Sequence, residues 1–128
     1  MTKHILVVDD NARIRKALCA MISADARLFP CSEAENGEQG IQMATETWPD
    51  LVVMDFSMPV MDGLEASRRI TSFMPHMRII LVTMHTELLE VSKLAKYGIS
   101  AMVSKERVSA DLIPTMCALL GLASGAAA

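Results

Sequence analysis

Aromatic side chains are scarce in this sequence: one Trp, one Tyr and three Phe among 128 residues. With so few rings, the interior must be filled by Leu, Ile, Val, Ala and eleven methionines, so an aliphatic and adaptable core is expected. Cysteine is also sparse. Cys19, Cys31 and Cys117 are odd in number and show no C-x-x-C spacing, which argues against a disulfide framework and against structural zinc. All three read as buried thiols. No apolar stretch approaches the roughly 18 residues a membrane span needs, and no basic-then-apolar leader precedes the first apolar run. A soluble, cytoplasmic chain with no membrane contact is expected. An excess of basic charge is lacking too, since 12 Lys and Arg face 15 Asp and Glu for a net charge of -3. That balance supplies no field to hold a polyphosphate, so direct nucleic-acid contact by this segment is not expected. Any DNA contact would need another domain.

What is present is a regular alternation. Short apolar runs are followed by longer stretches of helical period, five times over, the pattern of a parallel α/β sheet. Ile5 to Val8 is the first strand, and Asn11 caps a helix with Ile14, Leu18, Met21 and Ile22 on one face. The second strand is placed at Leu28 to Ser32, where Pro30 argues for a sheet edge. Asn36-Gly37 marks a turn, after which Ile41, Ala44 and Trp48 recur at helical spacing until Pro49. Leu51 to Met54, closed by Asp55, is the third strand. The Met58-Pro59 and Asp62-Gly63 pairs mark a loop, and Leu64 to Phe73 reads as the third helix. Arg78 to Thr83 is the fourth strand. Leu88, Val91, Leu94 and Ala95 share a helical face that Gly98 terminates in a left-handed cap. Ala101 to Ser104 is the fifth strand. Pro114 suits only a first helical turn, so Asp111 is the expected cap of the last helix, with Leu112, Ile113, Met116, Leu119 and Leu120 on its apolar face. One domain over residues 1–121 and a tail or linker over 122–128 follow.

Strands apolar on both faces belong inside a parallel sheet, and such sheets bind ligands beyond the carboxyl ends of their strands. Asp9, Asp10 and Asp55 stand there, with Thr83 and Lys105 following the fourth and fifth strands. Neighbouring strand residues face opposite ways, so Asp10 should begin the loop. Three converging carboxylates repel unless a cation intervenes. All-oxygen ligands with room for water suit Mg2+, with Mn2+ as a substitute. Lys105 and Thr83 add a mobile charge and a hydroxyl that phosphoryl oxygens require. Asp55 is then placed to attack phosphorus and become an acyl phosphate.

The runs Ile-Leu-Val-Val-Asp-Asp at 5 to 10, Met-Asp-Phe-Ser-Met-Pro-Val-Met-Asp-Gly at 54 to 63, Leu-Val-Thr at 81 to 83 and Ser-Lys at 104 to 105 resemble the receiver domain of two-component response regulators. The likeness covers about residues 3 to 120. It implies a flavodoxin-like five-stranded parallel sheet in the order 2-1-3-4-5 with helices on both faces, an order that comes from the resemblance and not from the residues. It implies that Asp55 accepts a phosphoryl group from a histidine kinase or histidine phosphotransfer protein. Asp10 and Asp55 would bind Mg2+ directly, Ser57 through its backbone carbonyl and Asp9 through water, while Thr83 and Lys105 read the phosphate. The charge would then bias the surface of the fourth helix, fifth strand and fifth helix.

Two positions depart from the family pattern. Met102 stands where an aromatic side chain usually couples to the site, so switching is expected to run through residues 84 to 87 and a repacked Met102. Met84 replaces a small residue after Thr83 and should hinder water and small phosphodonors; His85 and Ser57 would tune the phosphate lifetime. Met84-His85 and Glu106 resemble receivers of the LuxR type, which usually precede a helix-turn-helix output domain, and a homodimer is a further partner in view. The alternative readings are an adaptor that is never phosphorylated and a small magnesium-dependent aspartyl phosphatase. The second fits poorly, because such phosphatases carry Asp-x-Asp after the first strand where this chain has Asp9-Asp10. An acceptor rather than a turnover enzyme is therefore expected.

Overall fold

Ile5–Val8 forms β1, and every one of its side chains is buried, as the unbroken apolar run requires. The computed structural model describes residues 2–84 and 91–123, the side chains of residues 91 and 92 excepted. Along the chain follow α1 (Ala12–Ser23), β2 (Cys31–Ala34), α2 (Gly37–Thr47), β3 (Leu51–Asp55), α3 (Gly63–Phe73) and β4 (Arg78–Thr83). After them come α4 (Val91–Leu94), β5 (Ala101–Ser104) and α5 (Val108–Leu120), with short 3-10 turns at Ala95–Tyr97 and Lys105–Arg107. The five strands form one parallel sheet in the order β2-β1-β3-β4-β5. This is the order that the resemblance implied.

The alternation of side chains along the strands splits the interior in two. Ile5, Val7, Leu51, Val53, Ile80 and Val103 pack beneath α1 and α5, against Leu18, Ile22, Leu112 and Met116. Leu6, Val8, Val52, Met54, Ile79 and Leu81 pack on the other face beneath α2 and α3, against Ala44, Ala66 and Ile70. Both clusters are aliphatic, with methionines filling the gaps. Among the described residues, no helix is long and apolar enough to cross a membrane.

The expected caps at Asn11 and Gly98 are present: the Asn11 side chain accepts from Ile14 N, and Gly98 takes a φ of 77°. At Gly98 a Cβ would collide with Thr71, so only glycine fits. Four expectations need correction. β2 lies at the sheet edge as foreseen but begins at Cys31 rather than Leu28, because Pro30 has no N–H to give and Leu28 is buried in the preceding turn. α5 starts at Val108, so Asp111 is no cap: its carboxylate pairs with Arg107 at 2.9 Å. Pro114 lies inside that helix, one turn after the exposed residue Ala110, whose carbonyl an N–H at position 114 would otherwise pair. Ile14 and Trp48, assigned to apolar helix faces, are 38% and 69% exposed, Trp48 as the left-handed cap of α2. Finally, Cys19 and Cys31 are joined in a disulfide, and only Cys117 is a buried thiol. Packing of α1 against β2 brings their Cα atoms to 5.7 Å, which spacing along the sequence did not reveal.

Candidate functional site

Strand register places the acids. Val8 pairs with Met54, so Asp9, the next residue of the first chain segment, stands level with Asp55. Asp55 pairs with Val82 and Thr83 with Ser104, which sets Thr83 and then Lys105 a step further along the same sheet edge. One carboxylate oxygen from each of Asp9, Asp10 and Asp55 lies within 4.8 Å of the others. Asp9 and Asp55 are buried, while Asp10 is exposed at the start of the loop, as expected from the alternation of side chains. Lys105 reaches back to place Nζ 2.9 Å from Asp55 Oδ1. Thr83 is buried at the end of β4, beside β3 and its Asp55.

The loops are built to hold this arrangement. The Asp9 carboxylate accepts from the backbone N–H of Asn11 at 2.8 Å, while the Asn11 side chain caps α1. Arg15, one turn into that helix, donates to the Asp9 carbonyl at 2.9 Å and to Glu33 Oε1 at 3.1 Å. Past Asp55, Gly63 N donates to the Phe56 carbonyl at 2.8 Å, folding the loop back over the strand end. A Cβ on Gly63 would strike the Asp55 carbonyl, so α3 can start there only with glycine. Asp62 caps the helix by accepting from Glu65 N.

Electrostatics leave the site short of positive charge. Burial pushes the Asp55 carboxyl above its ordinary value, and Asp10 adds to that, whereas Lys105 and the Ser57 amide pull it down. Burial likewise raises Asp9; the Asn11 amide and Lys105 act against this, and the Asp55 and Asp10 charges with it. One lysine thus faces three acids. The donor set is all oxygen and partly open to solvent through Asp10, which fits a hard divalent ion that keeps part of its water, such as Mg2+.

The residues singled out in the sequence fall into three groups. Asp9, Asp10, Asp55, Thr83 and Lys105 converge. Ser57 is exposed in the loop after Asp55, Met84 is 51% exposed after Thr83, and Met102 is half-buried on β5 against the cluster beneath α2 and α3. His85 and the rest of the segment to residue 87 lie outside the described residues. Arg15 and Gly63 are the positioning residues that sequence reading missed. Gly63 reads in the sequence only as part of a turn signal; the signal available for Arg15 is an acid, Glu33, on the neighbouring edge strand.

The response regulator receiver domain family matches residues 5–116. The transcriptional activator protein ExaE of Pseudomonas putida is 35% identical over 109 residues, 85% of this chain and 51% of that protein. A protein-glutamate methylesterase/protein-glutamine glutaminase of Nitratidesulfovibrio vulgaris is 35% identical over 112 residues, 85% of this chain and 30% of its own length. The chain therefore spans about half or less of the curated relatives it matches. Among solved structures, a LuxR-family two-component response regulator from Aurantimonas sp. SI85-9A1 has a TM-score of 0.84 at 30% identity, covering 95% of this chain and 88% of that one. The response regulator domain of Thermotoga maritima CheB has a TM-score of 0.85 at 24% identity, covering 97% and 100%, a likeness of fold alone. With the matched segment taking in all five strands and all three clustered acids, the chain belongs to the response regulator receiver domain family.

Proposed function

We propose that this chain is a phosphorylation-controlled switch in which Asp55 accepts a phosphoryl group from a histidine of a kinase or phosphotransfer protein. The observation that carries the reading is the convergence of three carboxylates within 4.8 Å, one of them ion-paired with Lys105 at 2.9 Å. Asp10, Asp55 and the Ser57 carbonyl would hold Mg2+, with Asp9 acting through water. When bound, the ion supplies positive charge to the acids and to the phosphoryl oxygens.

An Asp55 carboxylate oxygen attacks phosphorus while the phosphorus–nitrogen bond of the donor breaks, and the departing imidazole takes a proton. Burial suits this step, since a desolvated carboxylate is poorly stabilised as an anion and gains when its charge passes to the phosphoryl group. The Lys105 ammonium is already at Asp55 and needs only a small swing to meet a phosphoryl oxygen. The Thr83 hydroxyl donates to another, which draws the end of β4 inward. Met84 and Met102 then repack, and the surface of α4, β5 and α5 changes for its partners. Exposed Met84, with Ser57 and His85, sets how long the phosphate survives and which donors enter. The chain is an acceptor, not a turnover enzyme.

Residues 1–121 would form the working domain and 122–128 a linker, in the cytoplasm. The regulated partner would be a helix-turn-helix output domain, in keeping with a transcriptional activator among the relatives, and the phosphorylated form would be a homodimer. Incubation with phosphoramidate and Mg2+, and separately with a phosphorylated histidine kinase, followed by intact-mass measurement, tests the proposal. One added phosphate is expected on the wild type and none on Asp55→Ala. A phosphate retained by Asp55→Ala, or none on the wild type from either donor, would refute it.

A further inference from the structure

We propose that Cys19 and Cys31 are a redox modification site, a thiol pair that closes reversibly into a disulfide and pins α1 to the edge strand β2. The proposal stands on the seam between these elements and not on Asp55 being an acceptor.

The seam has two rungs. Arg15 meets Glu33, and Cys19 meets Cys31. Four residues along a helix advance about 6 Å, and two along a strand about 6.6 Å, so an antiparallel helix that seats the first pair also seats the second. Cys31 and Glu33 share one face of the strand, and Arg15 and Cys19 one face of the helix. The bridge therefore follows from packing and needs no distortion of either element: the Cα separation of 5.7 Å is ordinary for a disulfide.

Three features mark the pair as reversible rather than a staple the fold requires. The two cysteines pack at the margin of the cluster beneath α1 and are not among its fully buried members, and α1 is held there by Leu18 and Ile22. Both cysteines are half-buried, within reach of a small thiol, unlike the buried Cys117. And β2 is an edge strand that pairs only with β1, so a single crosslink has more leverage on its position than on that of an inner strand. The other rung carries the consequence inward, because Arg15 also holds the Asp9 carbonyl. Closing the bridge one turn away fixes the helix–strand spacing beneath that contact.

A small-molecule disulfide such as glutathione disulfide supplies the oxidant. The thiolate of one cysteine attacks it and expels one glutathione thiolate, leaving a mixed disulfide. The second cysteine, as thiolate, attacks the protein sulfur of that mixed disulfide, forms the Cys19–Cys31 bond and expels the second glutathione thiolate. Two protons pass from the cysteines to the two glutathiones, and the electron pair reduces the reagent.

The full 128-residue chain equilibrated across glutathione redox ratios, acid-quenched, unfolded and alkylated gives the test by mass spectrometry. Under oxidising ratios one alkyl group is expected, on Cys117, with tryptic peptides 17–27 and 28–68 joined. Under reducing ratios three alkyl groups are expected. The oxidised form should melt ~10 °C above the reduced form, since a crosslink of this loop length restricts the unfolded chain. Cys19→Ser should abolish the joined peptides and the shift, and Cys117→Ser should preserve both. Three alkyl groups at every ratio, glutathione adducts or intermolecular links without the joined peptides, or a bridge that dithiothreitol cannot open in the folded protein would each overturn the proposal.

Discussion

Asp10 is the residue that shows most clearly what the acidic cluster costs. It is exposed, so Asp10→Asn opens no cavity, yet its charge raises both Asp9 and Asp55. Without metal, the variant should melt a few degrees above wild type at neutral pH, as expected for relief of about 1 kcal/mol of like-charge repulsion. With Mg2+ the order should reverse if Asp10 is a ligand as proposed, because the ion would then bind the wild type more tightly than the variant. Thermal melts with chelator and with Mg2+ read both. The pH dependence has a definite sign. Asp9 and Asp55 titrate above their ordinary 3.8, so the fold favours their protonated forms, and metal-free stability declines as pH rises from that value through the folded ones. The melting gap between Asp10→Asn and metal-free wild type should therefore shrink as the pH is lowered toward 4. Asp25 and Glu65, held at about 2 by Arg27 and by Arg68 with Arg69, act the other way, and their contributions fade only as pH falls toward 2. Gly63→Ala should be costly for a different reason. Its Cβ meets the Asp55 carbonyl, and relieving that clash moves the end of the strand that carries Asp55. A loss of about 2–4 kcal/mol in denaturant unfolding is expected, together with loss of phosphate uptake.

Among the elements, α1 does more than cover the sheet. Arg15 ties it to both the edge strand and the Asp9 carbonyl, so Arg15→Ala should leave the fold intact while weakening Mg2+ affinity roughly tenfold, as loss of a supporting contact does. Calorimetric titration measures it; unchanged affinity would show the contact to be idle. β5 and the end of β4 carry the second prediction. With Met102 half-buried on β5 and Met84 exposed after Thr83, activation by beryllofluoride should shift the methyl resonances of both, and leave Met116, deep beneath the opposite face, unmoved. Static Met84 and Met102 methyls would contradict the switching route. Elements were legible in the sequence where local signals agreed with packing, as at Asn11, Gly98 and the strands β1, β3, β4 and β5. Legibility failed where a partner element decided the outcome. Leu28 is apolar because it is buried in the core, not because it is in a strand, and Pro114 stands in mid-helix one turn after the exposed residue Ala110. The Cys19–Cys31 bridge was invisible for the same reason, since only docking α1 on β2 brings the two together.

At the scale of the whole molecule, the sheet order sends every site residue to one edge and leaves the opposite edge to the turns. Trp48, which precedes β3 rather than following it, lies at that opposite end, so its fluorescence is a poor reporter of events at Asp55. The convergence of Asp9, Asp10, Asp55, Thr83 and Lys105 was readable from four strand ends in a parallel series; the positions of Arg15 and Gly63 beneath them required the packed structure. The central claim concerns which of three neighbouring acids becomes esterified. Borohydride reduction of the phosphorylated chain, with peptide mass analysis, converts an aspartyl phosphate to homoserine and identifies its position. Homoserine at position 55 alone, formed with Mg2+ and absent with chelator, is the predicted result. Homoserine at position 9 or 10, or labelling indifferent to the metal, would contradict it.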